Sequence, residues 1–236
     1  MKLLVIIPAY NEQESIVSVI NKLKKDCPRA DYIVVNDCSK DNTLGVLKDN
    51  NADYVALPLN LGIGGGVQTG YKYALENGYD IAIQIDGDGQ HDTAYLDKVV
   101  KPIEEGKADI AIGSRFIDKE GFQSSGARRA GIKILSILIQ MCCGTKVYDV
   151  TSGFRAVNRN YIKMYANDYP TDYPEPEAIV QASLDGAKIT EVPVIMKERE
   201  SGTSSINSWK SVYYMIKVSL SIILCRISNK KVRKKK

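Results

Sequence analysis

Histidine is nearly absent from this 236-residue chain, in which His91 stands alone. The five cysteines are odd in number, two of them adjacent at Cys142 and Cys143, and no pair has CxxC spacing. These scarcities exclude a structural zinc site and a disulfide framework and predict a reduced, cytosolic chain. The apolar run Leu3–Ile7 stops at Pro8, so it reads as a first strand rather than a signal peptide. A distributed basic face is missing too. Net charge is +4, yet Lys230, Lys231, Arg233, Lys234, Lys235 and Lys236 crowd the last seven residues, leaving the remainder slightly acidic. That pattern argues against nucleic acid as a partner and for a membrane surface.

What is present is ordinary in bulk, 44% hydrophobic and 25% charged, and informative in order. Strand-like runs at 3–7, 32–35, 54–57, 81–85 and 109–112 alternate with helix-like periodicity, which predicts an α/β fold with a mainly parallel sheet flanked by helices. A polar loop follows each strand. In such a sheet these loops converge on one edge, so Tyr10, Asp37, Gly62 and Asp86 are expected to face one cleft.

The densest of these loops is IDGDGQHD, residues 85–92. A short apolar run, broken by Gln84, enters it. Gly87 and Gly89 permit a sharp turn, and Asp86, Asp88 and Gln90 offer hard oxygen donors to Mg²⁺ or Mn²⁺. An EF-hand is excluded, because its sixth position would be His91 and its twelfth Asp97. The glycine cluster at 62–70 fails both phosphate fingerprints. A dinucleotide motif would need glycine where Val67 stands, and a P-loop would need lysine where Tyr71 stands. It still suits a helix start that approaches a nucleotide closely.

Past Arg115, the Gly/Ser-rich stretch GFQSSGARRAG (121–131) is expected to form a mobile lid. An apolar helix should follow through Cys143, with Arg129, Lys133, Ser136 and Gln140 as its polar stripe. Asp149, Ser152 and Arg155 cluster next, and Glu175 and Glu177 flank prolines ahead of another helix. Residues 188–196 alternate like an outer strand. The last helix, about Ser208 to Ser228, is amphipathic. Trp209, Val212, Tyr213, Ile216, Leu220, Ile223, Leu224 and Ile227 share one face, opposite Lys210, Lys217, Ser221 and Ser228. Interrupted by Lys217 and Arg226, it is too short to span a bilayer and is expected to lie in the interface.

Taken in order, IIPAYNE at 6–12, VNDCSKDNT at 35–43, NLGIGGG at 60–66, IDGDGQHD, GSRF at 113–116, TSGFR at 151–155 and RESGTS at 199–204 resemble the family 2 glycosyltransferases of GT-A fold. Within them the chain is most similar to the polyprenyl-phosphate sugar transferases, such as the dolichyl-phosphate mannose synthase group. The resemblance implies a GT-A domain over residues 1–206, with 207–236 as an amphipathic helix and polybasic tail. It implies a nucleotide-sugar donor whose nucleoside is held by Pro8, Tyr10, Glu12 and Asp37, and a metal on Asp86, Asp88 and Gln90. Arg115, Arg128, Arg129, Arg155 and Arg199 would surround the donor and acceptor phosphates, with Ser204 assisting. The implied acceptor is a polyprenyl phosphate, at the cytoplasmic face of the membrane, alongside a small integral membrane partner protein. An anionic lipid phosphate needs no strong base. A sugar hydroxyl on a glycan acceptor would need one, for which Asp149 and Glu177 are the candidates. A non-catalytic, sugar-nucleotide-binding scaffold is the remaining alternative.

Overall fold

The computed structural model describes residues 1–123, 125–172, 174–197 and 208–233, with backbone alone at the two ends of the last segment. Seven strands form one sheet: β1 (Leu3–Ala9), β2 (Asp31–Asn36), β3 (Tyr54–Ala56), β4 (Ile81–Gln84), β5 (Ile110–Ser114), β6 (Arg155–Asn158) and β7 (Ile189–Pro193), in the order β3-β2-β1-β4-β6-β5-β7. Of these seven, β6 alone runs against the rest, pairing antiparallel with both β4 and β5.

Burial on both faces explains the unbroken apolar run of β1. Leu3, Val5 and Ile7 pack on one side with α1 (Ile16–Asp26) and α4 (Leu96–Glu104), through Ile16, Val19, Leu23, Val99 and Ile103. Leu4 and Ile6 face the other side, covered by α3 (Gly62–Glu76), α5 (Gly126–Cys143), α6 (Arg159–Asn167) and α7 (Pro174–Asp185). α3 lies so close that a Cβ on Gly70 would fall 2.2 Å from Ile6 Cγ2. A short α2 (Thr43–Asp49) follows β2.

The last helix, α8 (Ser208–Arg233), docks against α5 and α7. Among its described side chains Val218 and Ile222 are buried, and Lys217 and Ser221 bond to Asp172 and Glu177. The described part of the sequence-derived apolar face points away from the domain, with Ile216, Leu220, Ile223, Leu224 and Ile227 all exposed, while the side chains of Trp209, Val212 and Tyr213 lie outside the described residues. No helix among the described residues is long and apolar enough to cross a membrane. The second half of the stretch expected as a lid belongs to α5. Ser125 caps α5, accepting from the Arg128 N–H, so residues 126–131 are already helical.

Candidate functional site

Strands β3, β2, β1 and β4 are parallel, and the strand order reverses between β1 and β4. Their carboxyl ends therefore open on a crevice at the switch point. The β1 and β2 loops interlock beside it. Asn11 and Cys38 adopt positive φ of 58° and 56°, a strained conformation for non-glycine residues that hydrogen bonds hold in place. The Asn11 N–H donates to Ser39 Oγ at 3.0 Å, the Lys40 N–H to Asn11 Oδ1 at 2.8 Å, and the Glu12 N–H to Thr43 Oγ1 at 2.9 Å. Asp37, buried, joins this edge to the glycine-rich helix start, since its Oδ1 accepts from the Leu61 N–H at 2.6 Å. The next residue is Gly62, at φ +75°. Pro8, Asp37, Gly62 and the Asp86 loop thus share one edge, as expected, with Tyr10 exposed at its rim. Glu12 accepts the Ser15 hydroxyl at 2.7 Å, so at least part of its role is to brace the start of α1.

On the acidic loop, Asp86 is half-buried and Asp88 buried. Asp88 Oδ1 accepts from the Gln90 N–H at 3.0 Å, drawing the turn closed around its carboxylates. Gly153, from the neighbouring TSGFR segment, is the other wall. A Cβ there would lie 3.1 Å from Asp86 Oδ1 and 2.9 Å from Gln84 Nε2, so glycine keeps the carboxylate accessible. No three His, Cys, Asp or Glu side chains among the described residues gather as a metal site. Two carboxylates and an amide fit a hard divalent ion that takes its other ligands from substrate phosphates.

The arginines separate into two sets. Arg128 and Arg129 are exposed at the start of α5, available to an anion. Arg115 and Arg155 are not. Arg115 donates from Nε and Nη2 to the two oxygens of Asp149, each at 2.7 Å, and its backbone N–H adds a 3.1 Å bond. Burial would lower the Arg115 pKa, but the Asp149 contact outweighs it and the net shift is upward. Asp149, the expected general base, is wholly buried in this pair, with both carboxylate oxygens accepting from Arg115. Arg155 has no exposed surface and donates to the carbonyls of Ser152 and Glu175. It braces β6 against α7 instead of reaching a phosphate. Glu177 turns toward α8, accepting from Ser221 at 2.6 Å. It lines a groove of about 460 Å³ whose lining includes none of the acidic-loop residues. Arg199 and Ser204 lie outside the described residues.

Glu175 lies in the first turn of α7. Burial raises its pKa, Arg155 opposes that, and Asp86 adds a like-charge push. Sequence reasoning paired Glu175 with Glu177 and carried forward Glu177, which the fold turns toward α8. It also passed over Gln84, whose amide has no hydrogen-bond partner within the fold beside Gly153, although the break it makes in an apolar strand was a visible signal.

The Glycosyl transferase family 2 profile matches residues 4–165. The polyprenol monophosphomannose synthase of Mycolicibacterium smegmatis is 30% identical, over 92% of this chain and 85% of its own. The UDP-N-acetylglucosamine–dolichyl-phosphate N-acetylglucosaminyltransferase of Methanococcus voltae is likewise 30% identical, over 93% and 96%. Among solved structures, glucosyl-3-phosphoglycerate synthase from Mycobacterium tuberculosis, in complex with Mn²⁺, uridine diphosphate and phosphoglyceric acid, superposes with a TM-score of 0.68. That match covers 97% of this chain and 78% of the other at 19% identity, which establishes a shared GT-A fold. With more than half its length matched and relatives aligned nearly end to end, the chain belongs to glycosyl transferase family 2.

Proposed function

We propose that this chain moves a sugar, with inversion, from a UDP- or GDP-linked donor to polyprenyl phosphate at the cytoplasmic face of a membrane. The observation that carries this reading is where the charge and the apolar surface fall. Arg128 and Arg129 stand exposed at the start of α5, whose outer side shows Ile134, Ile137 and Met141. The outward face of α8, which packs on α5, is apolar as well. A phosphate head can meet the arginines while its chain follows the two helices. The relatives support this acceptor class, since their names join sugars to polyprenol and dolichyl phosphates.

Asp86, Asp88 and Gln90 would hold Mg²⁺ or Mn²⁺, which when bound offsets the charge growing on the leaving diphosphate. The start of α3 would offer donor phosphates its first-turn backbone N–H groups other than that of Gly64, which donates to the Thr171 carbonyl. Pro8, Tyr10 and Asp37 flank the nucleoside. An oxygen of the lipid phosphate attacks the anomeric carbon as the bond to the nucleoside diphosphate breaks on the opposite face. That nucleophile is already anionic. It therefore needs no base, in keeping with the commitment of Asp149 to Arg115 and of Glu177 to Ser221. Attachment is peripheral, through α8 and the basic tail, beside a small integral membrane protein.

The test is the full chain with liposomes containing undecaprenyl phosphate and a panel of labelled nucleotide sugars, followed by extraction of the lipid. Label should appear as a lipid-phosphate sugar and disappear with excess EDTA. Asp88→Ala should lose several orders of magnitude in turnover while melting normally. Label entering a glycan instead would replace the acceptor assignment and direct attention to Glu175. Undiminished turnover in Asp88→Ala would remove the metal from the mechanism.

A further inference from the structure

The single histidine lies inside the acidic loop, yet no step proposed above uses it. His91 is buried. Its Nδ1 accepts the backbone N–H of Asp86 at 3.0 Å. A backbone amide can only donate, so Nδ1 carries no proton and the neutral ring is the Nε2–H tautomer. Nε2 in turn lies 3.7 Å from Asp86 Oδ2. One ring therefore touches both the main chain and the carboxylate side of the same aspartate.

The ring is held from several directions. It stacks on Phe154, with centroids 5.1 Å apart and planes at 20°. Its backbone forms an antiparallel bridge with Met196, and the Lys197 N–H donates to the Gln90 carbonyl at 3.0 Å. Gly153 closes the remaining side, where a Cβ would fall 3.5 Å from His91 Cε1. The loop is thus clamped between the TSGFR segment and the extension of β7, with His91 as the piece that faces Asp86.

We propose that His91 is a positioning residue, which fixes Asp86 in the orientation from which its carboxylate, with Asp88 and Gln90, takes a divalent ion. This rests on the metal assignment in the preceding section. Histidine suits the position because it combines a flat stacking face with an acceptor. Phenylalanine would stack but leave the Asp86 N–H without a partner, and asparagine would accept without stacking.

Three measurements on the full-length protein test this. In the metal-free protein, ¹⁵N spectra of the imidazole, unambiguous with one histidine, should show the Nε2–H tautomer. Mn²⁺ affinity in the presence of UDP or GDP, read by electron paramagnetic resonance, should fall about 10- to 100-fold in His91→Phe. In His91→Asn it should stay within a few-fold of wild type, even where the lost stacking lowers its melting temperature further. The Asp86 amide should exchange with solvent at least tenfold faster in His91→Phe and nearly normally in His91→Asn. An Nδ1–H tautomer, equal losses in the two variants, or wild-type affinity and exchange in His91→Phe would each overturn the proposal. If wild type binds no Mn²⁺ with either nucleotide, the metal assignment fails, and with it the metal-positioning role. Faster Asp86 exchange in His91→Phe would then show that the clamp itself is real.

Discussion

Removing the Asp149 carboxylate separates a structural ion pair from a catalytic base. In Asp149→Ala the Arg115 guanidinium, only 8% exposed, loses both 2.7 Å bonds and keeps a 3.3 Å contact to Thr151 Oγ1. An uncompensated buried charge of this kind costs about 3–5 kcal/mol. A domain of this size loses roughly 2–4 °C per kcal/mol, so the melting temperature should fall by on the order of 10 °C. Asp149→Asn, which keeps one acceptor, should lose less. The pair Arg115→Met with Asp149→Leu should recover much of the loss, because apolar groups of similar volume replace a buried ion pair at little cost. Urea and thermal denaturation of wild type, Arg115→Met, Asp149→Leu and the double variant close a double-mutant cycle. Turnover measured well below the midpoint should follow the folded fraction. An Asp149→Asn variant that melts like wild type but turns over more than about 100-fold slower, a loss typical of a missing general base, would refute the structural assignment and restore Asp149 to the chemistry.

Two further outcomes follow from the exposed surfaces. Arg128→Ala and Arg129→Ala, which sever no internal ion pair shown by the fold, should raise the KM for the lipid acceptor far more than the calorimetric Kd for the nucleotide. Equal losses would move both residues to the donor side. Replacing Ile216, Leu220 and Ile223 with Ser should release the protein from anionic liposomes even at low salt. Deleting residues 230–236 should weaken binding mainly at low salt, where the parent's charge attraction is unscreened, and leave little difference from the parent at high salt. Co-sedimentation of both variants like the parent would mean that membrane contact lies elsewhere.

The parallel half of the fold was legible because each of its strands is a short apolar run that ends in a polar loop, and the loops of parallel strands necessarily share an edge. The antiparallel insertion of β6 between β4 and β5 was not, since nothing in RAVN records direction. The Arg115–Asp149 pair was not legible for a similar reason. Its members are 34 residues apart, and a buried carboxylate looks the same in sequence whether it holds an arginine or removes a proton. Glu175 and Glu177 show the limit of a pattern more closely. Two positions apart on a helix start, they are separated by roughly 200° around the axis. One therefore meets Arg155 and the other meets α8, and only the neighbouring elements decide which.

The direction in which α8 docks carries the argument for a membrane beyond composition. An amphipathic helix on a water-soluble domain turns its apolar side inward. Here the inward stripe is narrow, with Val218 and Ile222 buried, Met215 and Cys225 partly covered, and Ser221 and Lys217 making the polar contacts. The broader set, Ile216, Leu220, Ile223, Leu224 and Ile227, faces outward. Five large aliphatic side chains left in water would each forgo up to about 1.5–3 kcal/mol of burial, which an inverted helix could have recovered against the core. The bond from Ser221 to the partly buried Glu177 opposes that inversion, since turning the helix over would leave this carboxylate beside apolar side chains. Because α5 exposes Ile134, Ile137 and Met141 on a helix packed against α8, the membrane contact proposed for α8 would also bring Arg128 and Arg129 toward the lipid surface.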